Sequence, residues 1–213
     1  MVKFMKSHII YHIVWLFIIG SFFGYIFEVT AHFLMNGKLM NKPGLWFGPF
    51  KPIYGIGLML STLLLYKFQD NNFLLILILG IIIGSTFEYI AYVFQDKFFS
   101  IYTWSYKNMK FNIGGKIYPP YCLVWGLLSA LWIKYGLNIY LKIFNKAYNY
   151  NFKIITIFLL VLLIMDIGYT SLIINRYTKR HKIVKASTNI DKWLDKNYPN
   201  WKVKDRFPNL KLK

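Results

Sequence analysis

Residues 36–57 read NGKLMNKPGLWFGPFKPIYGIG and decide the fold, because they break the chain between two strongly apolar segments. The stretch holds three prolines and five glycines, but it also carries Leu45, Trp46 and Phe47. A loop that only reversed the chain would usually be shorter and more polar. Irregular backbone is tolerated at membrane depth only where protein or a water-filled cavity covers it. We therefore expect this stretch to fold into or against a membrane interface.

The helix before this loop and the loop itself both recur later in the chain. The segment 24–34, GYIFEVTAHFL, aligns with 84–94, GSTFEYIAYVF, and the segment 41–56 aligns with 112–127. Chance identity is the alternative, because apolar sequences match easily, but ordered polar, glycine and proline matches favour an internal duplication. The matched positions are Gly24 and Gly84, Glu28 and Glu88, Asn41 and Asn112, Gly44 and Gly115, Pro49 and Pro120, Tyr54 and Trp125, and Gly55 and Gly126. Repeats with helix-breaking residues at matching places are a pointer to transporter binding sites.

The composition is that of an integral membrane protein. Of 213 residues, 56% are hydrophobic and only 16% are charged, which lies outside the range of soluble globular domains. The net charge of +18 would suit nucleic acid, but its placement along the chain favours a membrane topology instead. The single cysteine, Cys122, excludes an intrachain disulfide and a metal site built on cysteines.

Five apolar segments predict an all-α membrane protein with about five transmembrane helices. Each segment approaches or exceeds the roughly 20 residues that cross a bilayer. We expect a transmembrane domain over residues 1–175 and a basic tail over 176–213. Within the first, we expect two tandem helix–loop–helix repeats and a fifth helix, at about 9–68, 73–141 and 152–175. The first apolar run is too long for a cleavable signal peptide.

The distribution of lysine and arginine predicts the orientation. Cytoplasmic segments of membrane proteins carry an excess of these residues. The tail holds nearly half of the chain's 26 basic residues, and the loops between the paired helices hold more of the rest than the opposite side does. We expect a multi-pass protein of the cell membrane with its N-terminus outside and its C-terminus in the cytoplasm.

The tail is too polar to span a membrane. Thr188 and Asp191 have the spacing of a helix cap, and Ile190, Trp193 and Leu194 would then lie on one side of a short helix. We interpret the tail as a solvated cytoplasmic segment attracted to anionic lipid. Docking to a partner protein is the alternative, and nucleic-acid binding is a minor one.

Three acidic residues fall within the predicted spans, and they are the main candidates for function. A charge there is costly, so Glu28, Glu88 and Asp166 should face the bundle interior, form pairs or line a pathway. One interpretation is structural: each carboxylate accepts hydrogen bonds from loop amides or caps a helix starting near Pro49 or Pro120. The other is a polar site for a cation, a proton or a cationic group. The two interpretations are compatible.

The two loops and their glycines complete the candidate set. Gly20, Gly24, Gly80 and Gly84 form Gly-x-x-x-Gly pairs that predict close helix packing. The aromatic residues Trp46, Tyr102, Trp104, Tyr106, Tyr118 and Tyr121 are typical of an interfacial belt. We assign a gating role at the inner mouth to the loop residues Asn41, Gly44, Gly48, Pro49, Tyr54, Asn112, Gly115, Pro120 and Trp125.

No sequence motif points to an enzyme. The chain contains no Gly-x-x-x-x-Gly-Lys-Ser/Thr phosphate loop, no Gly-x-Ser-x-Gly elbow and no His-Glu-x-x-His helix. His8, His12 and His32 lack a convincing ligand pattern. We therefore predict no catalytic residue, no metal site and no cofactor.

The motifs of both halves resemble those of a known bacterial family. The first half has Asn41-Lys42-Pro43-Gly44-Leu45, Gly48-Pro49 and Pro52-Ile53-Tyr54-Gly55; the second has Glu88-Tyr89, Trp104-Ser105-Tyr106, Phe111-Asn112-Ile113, Gly115 and Trp125-Gly126. These residues resemble the family named "putative ABC transporter permease", type IV, over about residues 24–126, with a weaker match at Asp166. Lys42 stands where that family commonly has Arg, and Ser105 where it commonly has Asp, so no role for a loop acid at 105 is carried over.

The resemblance implies a membrane subunit that works with a separate ATPase, and the missing phosphate loop agrees with that division. Our first functional hypothesis is a transport component in which Glu28, Glu88 and Asp166 line the polar path. The alternatives are a membrane-embedded enzyme acting on a lipid or lipid-linked substrate and a non-catalytic assembly subunit. The partners expected are membrane lipids, a separate ATPase and further copies of the chain, whereas nucleic acid is not expected.

Overall fold

Apolar helices form most of the protein. The structure, a computed structural model, describes residues 8–213. The helices are α1 (Ile9–Asn36), α2 (Pro52–Leu65), α3 (Phe73–Phe94), α4 (Pro119–Leu131), α5 (Leu137–Ala147), α6 (Tyr150–His181), α7 (Asn189–Asn197) and α8 (Asn200–Arg206). A 3₁₀ turn follows α2, π-helical turns follow α3 and join α4 to α5, and two short strands, β1 (Ile101–Tyr102) and β2 (Lys211–Leu212), pair antiparallel.

Capping residues set the ends of the long helices. Asn72 and Asn149 each accept a hydrogen bond from the backbone of the first turn of α3 and α6. Proline stands in the first turn of α2 and of α4, where its missing N–H costs nothing. Gly37 ends α1 with a positive φ of 66°. Local chemistry therefore fixes where the spans begin and end.

The prediction of an all-α membrane protein with about five helices is confirmed. In the described residues, four helical segments are long and apolar enough to cross a membrane, and a shorter apolar one covers Pro52–Phe68. Two predicted bounds were too short. The fourth segment continues to Ala147, and α6 continues to His181 instead of ending at 175. Arg176 and Tyr177 in this added part of α6 are buried, and Asp195 pairs with Arg176 and Arg180, so contacts with the tail hold this end of the helix.

The Gly-x-x-x-Gly pairs pack helices closely, as predicted. A Cβ atom on Gly24 would overlap the Tyr54 ring, and a Cβ on Gly84 would overlap Trp125. Gly20 and Gly80 similarly meet the backbone of Gly55 and of Gly126. Helix α1 thus packs on α2 in the way that α3 packs on α4.

Two buried apolar clusters lie within residues 8–213. The first draws on the bundle helices and contains Leu16, Leu65, Ile76, Ala130, Ile133, Leu137, Tyr140, Leu141 and Phe144. The second joins the end of α6 to the tail and contains Ile101, Ile173, Tyr177, Leu194, Val203, Phe207 and Leu210. The second cluster shows that the tail is a folded part of the protein.

The tail, here residues 182–213, corrects the expectation of a merely solvated segment. Thr188 caps α7 and Asp191 completes the capping box, as predicted. Leu194 is buried, whereas Ile190 and Trp193 are 62% and 48% exposed, because only Leu194 reaches the second cluster. Asp195 joins the tail to α6 by pairing with Arg176 and Arg180, each at 2.7 Å.

Candidate functional site

Glu28 is paired with a lysine that the sequence analysis did not assign to the site. Lys51 Nζ lies 2.5 Å from Glu28 Oε2, with side-chain exposures of 14% and 28%. The Lys51 N–H donates to Ser21 O at 3.0 Å, which holds the start of α2 against α1. Lys42 lies near both charges, and burial lowers the pKa of its ammonium while Glu28 opposes that shift. Two lysines of the first loop (residues 37–51), Lys42 and Lys51, therefore lie near Glu28.

Glu88 has neutral partners instead. Glu88 is 3% exposed, and its carboxylate accepts hydrogen bonds from the Tyr106 hydroxyl at 2.7 Å and from Trp125 Nε1 at 3.3 Å. Tyr106 belongs to the second loop, residues 100–118. Its hydroxyl binds a buried carboxylate, so Tyr106 does more than form part of the interfacial aromatic belt that the sequence predicted. A buried carboxylate needs such donors to offset the loss of water.

An aromatic pair connects the two halves beside the glutamates. The rings of Tyr54 and Trp125 lie 5.5 Å apart at an angle of 32°. Trp125 donates directly to Glu88, and the Tyr54 ring packs at 6.2 Å against the ring of Phe27, the residue before Glu28. Tyr54 and Trp125 occupy matching positions of the two halves, as Glu28 and Glu88 do.

Asp166 lies apart from the two glutamates. It accepts hydrogen bonds from Phe47 N and Thr170 Oγ1, each at 3.1 Å. The Thr170 hydroxyl in turn accepts from Trp46 N at 2.8 Å. Asp166 and Thr170 are one turn apart on α6, and together they hold the backbone of the first loop.

The two loops are held by their own polar residues. In the first loop, Asn41 accepts from the Tyr25 hydroxyl at 2.9 Å, and Gly44 N donates to Phe50 O at 2.7 Å. In the second loop, Asn112 Oδ1 accepts from Gly115 N at 2.7 Å, and Gly115 has a φ of +72°.

The matched prolines differ in position. Pro49 precedes α2 as part of the first loop, whereas Pro120 lies in the first turn of α4. The expectation of a helix start near Pro49 is therefore corrected to Pro52.

The tail reaches this end of the bundle. Arg206 donates to Leu45 O at 2.9 Å and to Gly48 O at 2.8 Å, and Gly48 has a φ of +72°. Lys182 and Lys213 bind Ser100 and Asp96 beside the second loop. The tail thus contacts both loops. These contacts join residues that are 82 to 161 positions apart, and no local pattern in the sequence predicts them.

An intramembrane groove of about 640 Å³ opens next to the aromatic pair. It is lined by α1, α2, α4 and the turn after α4, and its walls are almost entirely apolar. Among residues 8–213, no group of three or more His, Cys, Asp or Glu side chains is arranged to hold a metal ion.

Comparison with known proteins identifies the family. The family model described as "putative ABC-transporter type IV" matches residues 15–171, which include three of the apolar segments whole and most of the first and the last. Searches of curated proteins and of solved structures found no match. The match covers well over half of the chain and agrees with its apolar helices. This chain is therefore a multi-pass membrane protein and belongs to the family described as "putative ABC-transporter type IV".

Proposed function

We propose that this chain is the translocating membrane subunit of an ABC-type transporter and that a separate ATPase drives it. The polar site of this proposal consists of Glu28 and Glu88 beside the Tyr54–Trp125 pair. The observation that carries it is the packing of Tyr54 and Trp125, from matching positions of the two halves, between Phe27, which precedes Glu28, and Glu88, to which Trp125 donates. Ionisable side chains within a membrane are costly and mark substrate or ion paths.

The two carboxylates differ in a way that suits a positively charged group. Lys51 already places an ammonium on Glu28 at 2.5 Å, so this carboxylate is built to bind a cation. Glu88 is held by two neutral donors and has no such ion pair in the described structure. When a proton or the cationic group of a substrate enters beside Tyr54, Glu28 is already compensated by Lys51, whereas Glu88 is available to bind it.

The loops and Asp166 have supporting roles in this proposal. The first loop lies between Glu28 and α2, and Asp166 and Thr170 hold its backbone. We therefore assign Asp166 to positioning the loop that gates the site rather than to the path itself. The basic residues of both loops and of the tail favour a cytoplasmic location for this end, with the N-terminus outside.

We also propose that residues 9–68 and 73–141 are two copies of one unit. Supporting this, the glycines of α1 and of α3 make matching contacts with α2 and α4. Two copies in the same orientation place Glu28 and Glu88 at the same end of the bundle. A duplicated unit thereby supplies both halves of one site.

Co-purification with an ATPase tests the proposal. The tagged protein is purified in detergent from its native host, and ATP hydrolysis is measured after reconstitution. We expect an ATPase to co-purify and its hydrolysis to be stimulated by the wild-type protein. In the Glu28→Gln/Glu88→Gln variant, stimulation should fall to the level of the ATPase alone while the same amount of ATPase is still bound.

The matched control is Asp70→Asn/Asp205→Asn, which removes two exposed acids outside the site. It should stimulate hydrolysis as the wild type does. If no ATPase co-purifies with the protein under any condition, the proposal that it is a transporter subunit is wrong. Full stimulation by the Glu28→Gln/Glu88→Gln variant would remove the role of the two carboxylates.

A further inference from the structure

The tail folds back along α6 to the level of the membrane. On α6, a predominantly apolar run covers residues 154–174, which is about 31 Å at about 1.5 Å per residue and matches a hydrocarbon core of about 30 Å. The ring of Trp193, on α7, lies 6.4 Å from that of Tyr169, which is inside this run. Met165 and Leu172, one turn to either side of Tyr169, are 63% and 52% exposed, so this part of α6 faces lipid. Helix α7 therefore lies beside the boundary between the bilayer and water.

The contacts of α7 fix the direction in which each of its sides points. Leu194 is buried in the second apolar cluster. Asp195 pairs with Arg176, which lies just beyond the apolar run, so the side of α7 that holds Asp195 points away from the bilayer. Trp193 is two positions from Asp195 and lies on the opposite side, since successive residues of a helix are about 100° apart. That side of α7 therefore points toward the bilayer.

Exposed apolar and cationic side chains occupy the sides of α7 that the fold leaves free. Ile190, three positions before Trp193 and on the same side, is 62% exposed, and Trp193 is 48% exposed. Lys192 and Lys196 are exposed on the side opposite Leu194. In the part of the chain that the structure describes, neither ammonium forms a hydrogen bond or an ion pair. An exposed apolar side next to a basic side is typical of helices that lie in the head-group layer of a membrane.

The acidic residues of the tail do not cancel its positive charge. Residues 182–213 contain nine basic and three acidic residues and so have a net charge of +6. Two of the acids are used within the fold, because Asp195 pairs with two arginines of α6 and Asp191 completes the capping box of α7. The third, Asp205, is exposed on α8. The remaining positive charge is complementary to the phosphates of an anionic membrane surface.

We propose that α7 is an interfacial helix that binds the anionic surface of the bilayer. Ile190 and Trp193 lie among the first acyl carbons, and Lys192 and Lys196 lie against the lipid phosphates. A soluble partner protein does not fit this side of α7, because it would displace lipid from the adjoining exposed residues of α6. The inference does not rest on the transport proposal, since it requires neither an ATPase nor a translocated substrate.

Spin labels measure the depth of α7. In a Cys122→Ser background, a nitroxide is attached to Ile190→Cys or, as the matched control, to Ile183→Cys, which replaces an isoleucine that is 90% exposed beyond the end of α6. Both proteins are placed in bilayers of equal parts phosphatidylglycerol and phosphatidylcholine, and collisions with oxygen and with a water-soluble nickel chelate are measured. We expect the ratio of oxygen to nickel collisions to be at least about fivefold higher at position 190 than at 183. Equal ratios, with both labels in water, would overturn the membrane contact and leave this side of α7 to a partner protein.

One pair of charge variants tests the preference for anionic lipid. In phosphatidylcholine alone, the ratio at position 190 should fall at least about twofold, and Lys192→Gln/Lys196→Gln should lower it as much in the mixed bilayer. The matched control, Lys179→Gln/Lys185→Gln, removes two exposed lysines near the end of α6 and should leave the ratio unchanged. The same ratio in both bilayers, or an equal fall in the control, would overturn the binding of anionic lipid by Lys192 and Lys196.

Crosslinking of the wild-type protein tests the same contact without a substitution. Phosphatidylglycerol with a photoreactive head group should label peptides that cover residues 189–197 and should leave residues 182–187, in the turn after α6, unlabelled. Labelling of the protein that spares residues 189–197 would reject α7 as the helix that binds the membrane surface.

Discussion

Lys51 compensates Glu28 in a half-buried position, and removing one partner leaves the other charge uncompensated. We predict that Lys51→Gln lowers the free energy of unfolding by about 1–2 kcal/mol. For a chain of this length, that corresponds to a loss of about 2–8 °C in Tm, measured by thermal unfolding in detergent. The free energy of unfolding of the Glu28→Gln/Lys51→Gln variant should fall by less than the sum of the decreases in the two single variants, because neither charge is left without its partner. Strict additivity would mean that the two charges do not interact.

The Tyr106 hydroxyl is one of two donors to a carboxylate that is almost fully buried. Tyr106→Phe removes that donor and leaves one oxygen of Glu88 without its 2.7 Å hydrogen bond. We predict a loss of about 1–3 kcal/mol in the free energy of unfolding. Tyr121→Phe is the matched control, since Tyr121 contacts Tyr106 through its ring at 5.4 Å and gives Glu88 no hydrogen bond. Equal decreases in the free energy of unfolding of the two variants would mean that the hydrogen bond from the Tyr106 hydroxyl does not contribute to stability.

At the scale of helices, close packing depends on glycines at the contact. Gly84→Ala would force α3 away from Trp125, and overpacking of this kind costs about 1–3 kcal/mol. Gly168→Ala is the control, because nothing lies within 4 Å of a Cβ at that position of α6. That change should be neutral or stabilising by up to about 1 kcal/mol, since alanine favours a helix. Thermal unfolding of the two variants measures the difference, and similar Tm values would contradict the packing role of Gly84.

The attachment of the tail to α6 should depend on pH. The Arg176 guanidinium, followed by that of Arg180, holds the pKa of Asp195 below its usual value of 3.8. A lowered pKa means that the carboxylate stabilises the fold fully above about pH 4 and loses this effect as the pH falls further. Asp195→Asn should therefore lower the Tm at pH 6–8, and the difference from the wild type should shrink below pH 4. A difference that stays constant down to pH 3 would contradict this linkage.

Local patterns predicted the helices, but not the contacts that assemble the site. The predicted start of the second repeat at about 73 coincides with the start of α3 at Phe73, and Thr188 with Asp191 was found because a capping box is local. Lys51 and Tyr106 were not assigned as partners of the glutamates, because folding alone brings these side chains together. The same reason explains why α6 continues past the predicted end at 175. In the sequence, the charge of Arg176 indicates the start of a polar tail, but in the fold Asp195 pairs with this charge.

For the whole molecule, the contacts of the tail decide how many times the chain crosses the membrane. Arg206 binds the first loop, and the strand at 211–212 pairs with the start of the second loop. Both loops and the tail therefore lie at one end of the bundle. An even number of crossings must separate the two loops, so α2 must cross as α3 does. At about 26 Å for 17 residues, Pro52–Phe68 nearly matches the hydrocarbon thickness of about 30 Å.

Cysteine labelling in intact cells tests both the five crossings and the proposed orientation. In a Cys122→Ser background, single cysteines are placed at the exposed positions Asn71, Lys146, Lys110 and Lys185. With the N-terminus outside, a membrane-impermeant maleimide should label the first two in intact cells and the last two only after permeabilisation. The opposite pattern would keep the fold and reverse the orientation. Labelling that placed Asn71 on the same side as Lys185 would mean that α2 turns back within the membrane, which the shared end of the loops and the tail forbids.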